Sequence, residues 1–360
     1  MSTFSNPKIN PLHACILCVS GTLALAQISG AIILIEQAKR DAFVSSIFGC
    51  IVYLLYAFWI YKIANNHAPN QSFLDVLELK MGRWVVWVIK YWITLYLICE
   101  LFVIDKNIVI WVKSLFLPFT PIWAISLPLL IVCAYLAVKG IKPIAISYSV
   151  LMPIIILLIV FMAVFTFKYR HFDLLMPLFS EETRHIVLGT STTARVGMEL
   201  FWVLLLKPHT EGTFKWKHFV ALVSVSSFFI INAVMSILTI FGTYEASKQR
   251  FPLFTLWRLV RISSFVEHLD FLSIYQWLCS TAILMSLGLF LIGDLLTTKR
   301  RNNKIAIVVC TTALFIGVEV HFNDTDFLAF TKNYFYPLSM FSILCWTFIA
   351  YLTTRKRGLL

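Results

Sequence analysis

The chain alternates between long runs in which nearly every position is apolar and short links where charges, amides and prolines collect. Ten such runs follow one another, at about 13–35, 42–63, 84–110, 121–138, 144–167, 187–206, 217–241, 271–293, 303–320 and 334–352. Apolar residues fall on every face of these runs rather than along one stripe, the pattern of helices surrounded by hydrocarbon or by other helices. Roughly 20 helical residues cross about 30 Å of hydrocarbon. Most runs reach that length, and the fourth and ninth are the shortest. Strands of a transmembrane barrel would instead alternate over segments of about ten residues. The expected fold class is an all-α polytopic membrane protein with about ten transmembrane helices, in a single transmembrane domain covering residues 1–360.

The links carry their own signals. Ser72 opens a polar segment after the second run and predicts a short helix there. Pro118 and Pro121 bracket the turn into the fourth run, Pro143 starts the fifth, Pro153 lies inside it and Pro208 ends the sixth. The longest outer link, 243–270, contains PLFTLWRLVRISSFVEHLD. Arg258 and Arg261 share a face there, with Leu256, Leu259, Val260 and Phe265 apolar nearby. That pattern fits an amphipathic helix at the outer interface, or an ordinary interfacial loop.

Composition sharpens this picture. Apolar types make up 59% of the chain and charged ones 13%, with a mean hydropathy of +0.83, more apolar surface than a water-soluble core absorbs. The net charge of +12 does not point to nucleic acid, because the cations gather at the ends of the runs. With the N-terminus cytoplasmic, 17 Lys and Arg lie on the cytoplasmic side and 11 on the other, so both termini are expected in the cytoplasm. The first run is too long for the apolar core of a removable signal peptide and shows no small-residue cleavage site. The eight cysteines are scattered. Cys15-x-x-Cys18 lacks a second pair or a histidine array, so it reads as packing rather than as a metal or redox site. No Walker A loop, dinucleotide fingerprint, HExxH or GxSxG occurs, and no cofactor, metal or catalytic activity is expected.

Function must then lie in the polar groups between helices, since a charge in hydrocarbon costs at least about 2.5 kcal/mol on insertion scales. The sixth run carries Arg195 and Glu199 on one helical face, where they either neutralise one another or orient a zwitterionic ligand. Thr190 to Thr193 add hydroxyl groups just outward. Glu100, in the third run, is placed to pair with Arg195 or to receive an ammonium group. Asp105 and Lys106 follow it toward the outer interface. Among the tryptophans, Trp84, Trp87, Trp111, Trp123, Trp216 and Trp346 read as interface residues, whereas Trp202 and Trp277 lie deeper and read first as packing.

Ten runs divide into two sets of five, 13–167 and 187–352. Transporters built from inverted repeats place their sites at interrupted helices. The first run of each half contains such a segment, Gln27-Ile-Ser29-Gly30-Ala31 and Gly189 to Glu199, where glycine and hydroxyl side chains let a membrane helix open.

At this point the chain resembles the B subunits of bacterial spore germinant receptors, within the amino acid–polyamine–organocation transporter superfamily. The segments carrying the resemblance are QISGAIIL (27–34), LELKMGRW (77–84), LFLPFTPIW (115–123), GMELFWVLLLKPH (197–209) and RISSFVEHLDFLSIYQW (261–277). The resemblance implies a LeuT-like 5+5 inverted repeat with helices 1 and 6 broken, in the inner membrane of dormant spores and in contact with membrane lipids. It also implies receptor A and C subunits as partners and a small-molecule germinant, commonly an amino acid, as ligand. Carried over by position, the binding residues would be Ser29, Gly30 and Ala31 with the adjoining Gln27, together with Gly197, Met198 and Glu199. Glu100 and Trp277 would close the pocket. Two departures stand out: Ile35-Glu36 occurs where the family often has proline, and Arg195 is not a family feature. The rival expectations are an active amino-acid or cation-coupled permease and a structural or ion-channel subunit with a degenerate pocket.

Overall fold

The computed structural model describes residues 8–66, 71–261, 269–297 and 300–354. Helices dominate it, and no β-strand occurs among the described residues. In chain order they are α1 (Pro11–Leu25), α2 (Ala31–Ala38), α3 (Ala42–Asn65), α4 (Phe73–Met81), α5 (Arg83–Leu115), α6 (Ile122–Lys139), α7 (Ile141–Thr166) and α8 (Thr183–Gly197). There follow α9 (Trp202–Leu206), α10 (Trp216–Lys248), α11 (Pro252–Arg258), α12 (Leu272–Leu296), α13 (Arg300–Glu319), α14 (Asp324–Phe330) and α15 (Tyr336–Thr354).

Among the described residues, seven helical stretches are long and apolar enough to cross a membrane. The apolar runs outside that set fall on α1, α5 and the α8–α9 pair, and these carry much of the buried polarity. Ser20 and Thr22 lie on α1, Glu100, Asp105 and Lys106 on α5, and Arg195 on α8. Outward-facing side chains elsewhere are large and apolar, among them Leu55, Leu157 and Ile316. A surface of that kind belongs in lipid. The molecule is an all-α, multi-pass membrane protein.

The helix ends are tied at two levels. At one level, Ile9 exchanges backbone hydrogen bonds with His209 and Glu211, both at 2.9 Å, and Lys207 donates to the carbonyl of Ala64. His209 meets Asp294 at 3.0 Å, and Lys80 donates to the carbonyl of Thr353. The start of α1 and the C-terminal ends of α3, α9, α12 and α15 are thereby tied at that level. At the other level, Lys332 pairs with Glu36 (2.9 Å), Arg250 with Asp324 (3.0 Å), and the backbone N–H groups of Phe179 and Glu181 donate to Asp41 at 2.7 and 2.8 Å.

The helix anticipated after Ser72 is α4. Ser72 accepts from Leu74 N–H (3.1 Å) while Asp75 accepts from Ser72 N–H (3.0 Å), a capping box. Ser72→Ala is expected to cost about 1 kcal/mol of local stability, read as faster amide exchange across 73–81.

Several positions differ from expectation. Trp111 and Trp346 are fully buried rather than interfacial. Trp111 packs on Trp277, with ring centroids 4.4 Å apart, and Trp346 on Trp92, Tyr96 and Phe201. Both face the helix bundle, so their depth along the chain misleads. Lys106 does not reach the surface. Its ammonium donates to the carbonyls of Val318 (2.6 Å) and Val320 (2.9 Å), the unsatisfied C-terminal carbonyls of α13. The outer helix α11 stops at Arg258. Leu253, Phe254, Leu256 and Trp257 turn inward rather than lying on the interface, and the rest of the anticipated helix falls partly outside the described residues.

Candidate functional site

The expected openings in the first and sixth runs take a milder form. Between α1 and α2 the chain makes a π-helical turn, Ala26–Gly30, with the N–H of Ala31 donating to the carbonyl of Ala26. Gly30 is required by close approach. A Cβ there would lie 2.9 Å from the carbonyl oxygen of Leu25 and 3.1 Å from Val196 Cγ2. Between α8 and α9 the chain tightens into a 3-10 turn, Met198–Phe201. Both segments stay helical, so they are changes of pitch and not breaks. The wider and tighter turns keep the backbone hydrogen-bonded where no water is at hand.

A cavity opens beside these turns. It lies between the α1–α2 junction, α7, α8, α10, α11 and α12, where about 650 Å³ of non-atom space includes open solvent. Its wall is mostly apolar, with Phe229, Trp257 and Trp277 the bulkiest members. No charged side chain lines it; the polar members are Gln27, Thr192, Thr193, Asn232 and Gln276. Two of these are already engaged: Thr192 donates to Gln37 Oε1 (2.5 Å), and Asn232 Oδ1 accepts from Arg170 (3.2 Å). Gln27 Oε1, Thr193 Oγ1 and Gln276 Oε1 are buried without a hydrogen-bond partner among the described residues. Buried polar atoms of this kind are costly unless something supplies the missing bond. A mainly apolar cavity with a few polar groups is the usual form of a small-molecule site.

A second polar centre sits on the neighbouring face of α8. Arg195 donates to Glu199 Oε1 through Nη1 and to Glu100 Oε2 through Nη2, both at 2.6 Å. Its Nε donates to Ser339 Oγ at 2.5 Å. Tyr96 OH accepts from Arg195 (3.3 Å) and donates to Glu199 Oε1 (3.2 Å). Arg195, Glu100 and Glu199 are each at most 1% exposed. The i,i+4 spacing brings Arg195 and Glu199 together, whereas Glu100 arrives from α5 by tertiary packing. Tyr336 stands over the guanidinium, 5.7 Å from ring centroid to Cζ, and shares a 2.9 Å hydrogen bond with Ser29 of the π-turn.

The residues singled out from the sequence therefore divide. Gln27, Gly30, Ala31 and Trp277 line the cavity. Glu100, Arg195 and Glu199 form the ionic centre, and Ser29 touches its edge through Tyr336. Gly197 and Met198 line neither. Gly197 lies against the ring of Tyr53, and Met198 is packed in the core. Sequence reasoning passed over Gln276, Asn232 and Trp257. Gln276 had a signal, an amide within the apolar run LSIYQWL; Trp257 had none, because only tertiary packing turns α11 inward.

A helical membrane scaffold with a changed pitch in two helices and a mainly apolar cavity beside them has the form of a transporter fold. The fold agrees. The chain superposes with a TM-score of 0.65 on MhsT, solved in complex with L-phenylalanine, covering 96% of this chain and 95% of that one at 14% identity. It superposes at 0.61 on a substrate-bound, outward-open Na+-coupled sialic acid symporter, covering 94% and 79% at 12% identity. The chain belongs to the spore germination protein family, whose profile it matches over residues 8–326. It is 28% identical over 333 residues to spore germination protein XB of Bacillus anthracis, covering 90% of this chain and 93% of that protein. It is 23% identical over 188 residues to spore germination protein YndE of Bacillus subtilis (strain 168), covering 52% and 51%. Both curated relatives are spore germination proteins and the second solved neighbour is a symporter; none of these names is that of an enzyme.

Proposed function

We propose that this protein binds a small molecule with an apolar body and a hydrogen-bonding head, most simply an amino acid, in the cavity beside the π-turn. The observation that carries the reading is the wall itself: a mainly apolar cavity lined by Gln27, Thr193 and Gln276, each of which keeps a buried oxygen without a partner among the described residues. Two amide oxygens accept from an ammonium group, and the threonine hydroxyl donates to a carboxylate or accepts. Phe229, Trp257 and Trp277 suit a sizeable apolar side chain. A solved structural neighbour holding L-phenylalanine supports the same ligand class.

Two consequences of binding are in contention. As a permease, the protein carries its ligand across the membrane. The near-complete transporter fold and the enclosed cavity favour this, because a degenerate, purely structural subunit has no reason to keep them. As the B subunit of a germinant receptor, it passes the bound state to A and C subunits and triggers ion release. Family membership favours that. Both readings share a spore inner-membrane location, cytoplasmic termini and inverted repeats at 13–167 and 187–352. The bias of 17 cations against 11 supports that orientation.

Thermal stabilisation of the purified protein by a panel of amino acids, sugars and nucleosides tests the binding reading. Stabilisation by apolar amino acids is expected. Gln276→Leu or Thr193→Val should weaken it on the order of tenfold, the effect of one lost buried hydrogen bond. A response unchanged in both variants would put the ligand elsewhere. Ligand flux into vesicles holding only this chain would then decide for the permease.

A further inference from the structure

The ionic centre does not balance. Glu100 and Glu199 bring two negative charges to one guanidinium, and all three side chains are at most 1% exposed. Among the described residues, the other titratable groups within reach are Cys18 from α1, Tyr56 from α3, Tyr96 and Cys99 from α5 and Tyr336 from α15. None of these supplies a positive charge. With both carboxylates ionised, the centre would hold one uncompensated negative charge inside a membrane-spanning bundle, an arrangement protein interiors avoid. Each carboxyl also keeps one buried oxygen without a partner among the described residues, Glu100 Oε1 and Glu199 Oε2.

We propose that Glu100, Arg195 and Glu199 form a proton-exchange site that holds one proton, on Glu100, in this conformation. The hydrogen bonds choose between the two acids. Glu199 accepts at close range from both Arg195 (2.6 Å) and Tyr96 (3.2 Å), whereas the close hydrogen bond to Glu100 comes from Arg195 (2.6 Å). Glu199 is thus the better-compensated carboxylate. The proton comes from solvent and adds to one carboxylate oxygen; no other bond is made or broken.

The site is joined to the cavity through two shared elements. Arg195 adjoins Val196 on α8, which lines the cavity together with Thr192 and Thr193. Tyr336 beside the guanidinium is hydrogen-bonded to Ser29, between the cavity residues Gln27 and Gly30 of the π-turn. Loss of the proton would leave the unbalanced charge and favour a rearrangement of Arg195, and with it α8 and the π-turn. Proton exchange and cavity occupancy are then thermodynamically linked, each altering the equilibrium of the other. This inference stands apart from the identity of the cavity's ligand.

Infrared difference spectroscopy of the whole protein at neutral pH, in H2O and D2O, tests it by the C=O stretch of a protonated carboxyl. The expected result is one such band, lost in Glu100→Gln. It should also be lost in Glu199→Gln, because removing that charge lets Glu100 ionise against Arg195. The control is Asp105→Asn, since Asp105 is also fully buried with an unpartnered oxygen. A band belonging to Glu100 persists in that variant. If the glutamine variants do not fold, the wild-type spectrum still decides. Absence of any protonated-carboxyl band beyond one removed by Asp105→Asn would overturn the proposal. So would a centre without the band whose thermal midpoint rises with Na+ but not with choline, since the balancing charge would then be a metal ion.

Discussion

Arg195→Met is expected to be the most damaging single substitution in this protein. It removes the guanidinium that bonds Glu100, Glu199, Ser339 and Tyr96 and leaves two buried carboxyl groups facing each other. Breaking a buried ion pair from one side costs about 3–5 kcal/mol, much of it the penalty of the charge left behind. That is a large part of the roughly 5–15 kcal/mol that separates folded from unfolded in an ordinary domain. Expected outcomes are a collapse in monodisperse yield on size-exclusion chromatography and a sharply lowered thermal midpoint in any protein recovered. The triple variant Arg195→Met, Glu100→Gln, Glu199→Gln removes the charges together and should recover much of the yield. A triple variant no better than Arg195→Met would mean that the arginine acts mainly by packing. Arg195→Lys should fall between, because one ammonium cannot reproduce the fork that spans both carboxylates.

The second large effect is expected at Gly197. A Cβ at this position would lie 2.4 to 2.9 Å from ring carbons of Tyr53, a residue 1% exposed. Overpacking of a filled interior costs about 1–3 kcal/mol, and more when the neighbour cannot yield. Gly197→Ala should therefore lower the thermal midpoint whether or not ligand is present. Adding Tyr53→Leu should restore part of the loss by making room. The outcome bears on interpretation, because Gly197→Trp would be chosen from the sequence to fill a binding pocket. Gly197 does not line the cavity, so loss of response in such a variant would report on α3–α8 packing. Gln276→Leu and Thr193→Val are the substitutions that interrogate the cavity itself. If Gly197→Ala proved as stable as the wild type yet lost ligand stabilisation, the close packing of Gly197 on Tyr53 would be the part to abandon.

The family resemblance and the membrane class were legible because both reside in linear order. Apolar runs of helical length, cations at their ends and segments such as GMELFWVLLLKPH in a particular sequence survive without coordinates. The disturbances in the first and sixth runs were legible too, since glycine and hydroxyl residues mark places where a helix can depart from α geometry. Their form was not. Whether such a segment unwinds, widens or tightens depends on what replaces the lost hydrogen bonds. Here the N–H of Ala31 reaches the carbonyl of Ala26, and the chain stays helical.

The candidate site shows the same division. A charged residue in an apolar run announces itself, so Glu100, Arg195 and Glu199 stood out from sequence alone. The Arg195–Glu199 pair follows from the i,i+4 spacing of one helix. Glu100 and Ser339 join it from positions 95 and 144 residues away, which only packing could arrange. The cavity wall was the least legible part. Leu253, Trp257, Phe229 and Ile159 look like any other apolar residues in a chain that is 59% apolar. In a membrane protein, hydrophobicity does not distinguish a face toward lipid from a face toward a ligand, since both are apolar. What the sequence determined by itself was the membrane class of the chain, the approximate extent of its apolar runs and the buried charges that demanded partners. The tertiary structure alone decided which helices meet, and so which charges are neutralised and where an apolar surface closes into a cavity.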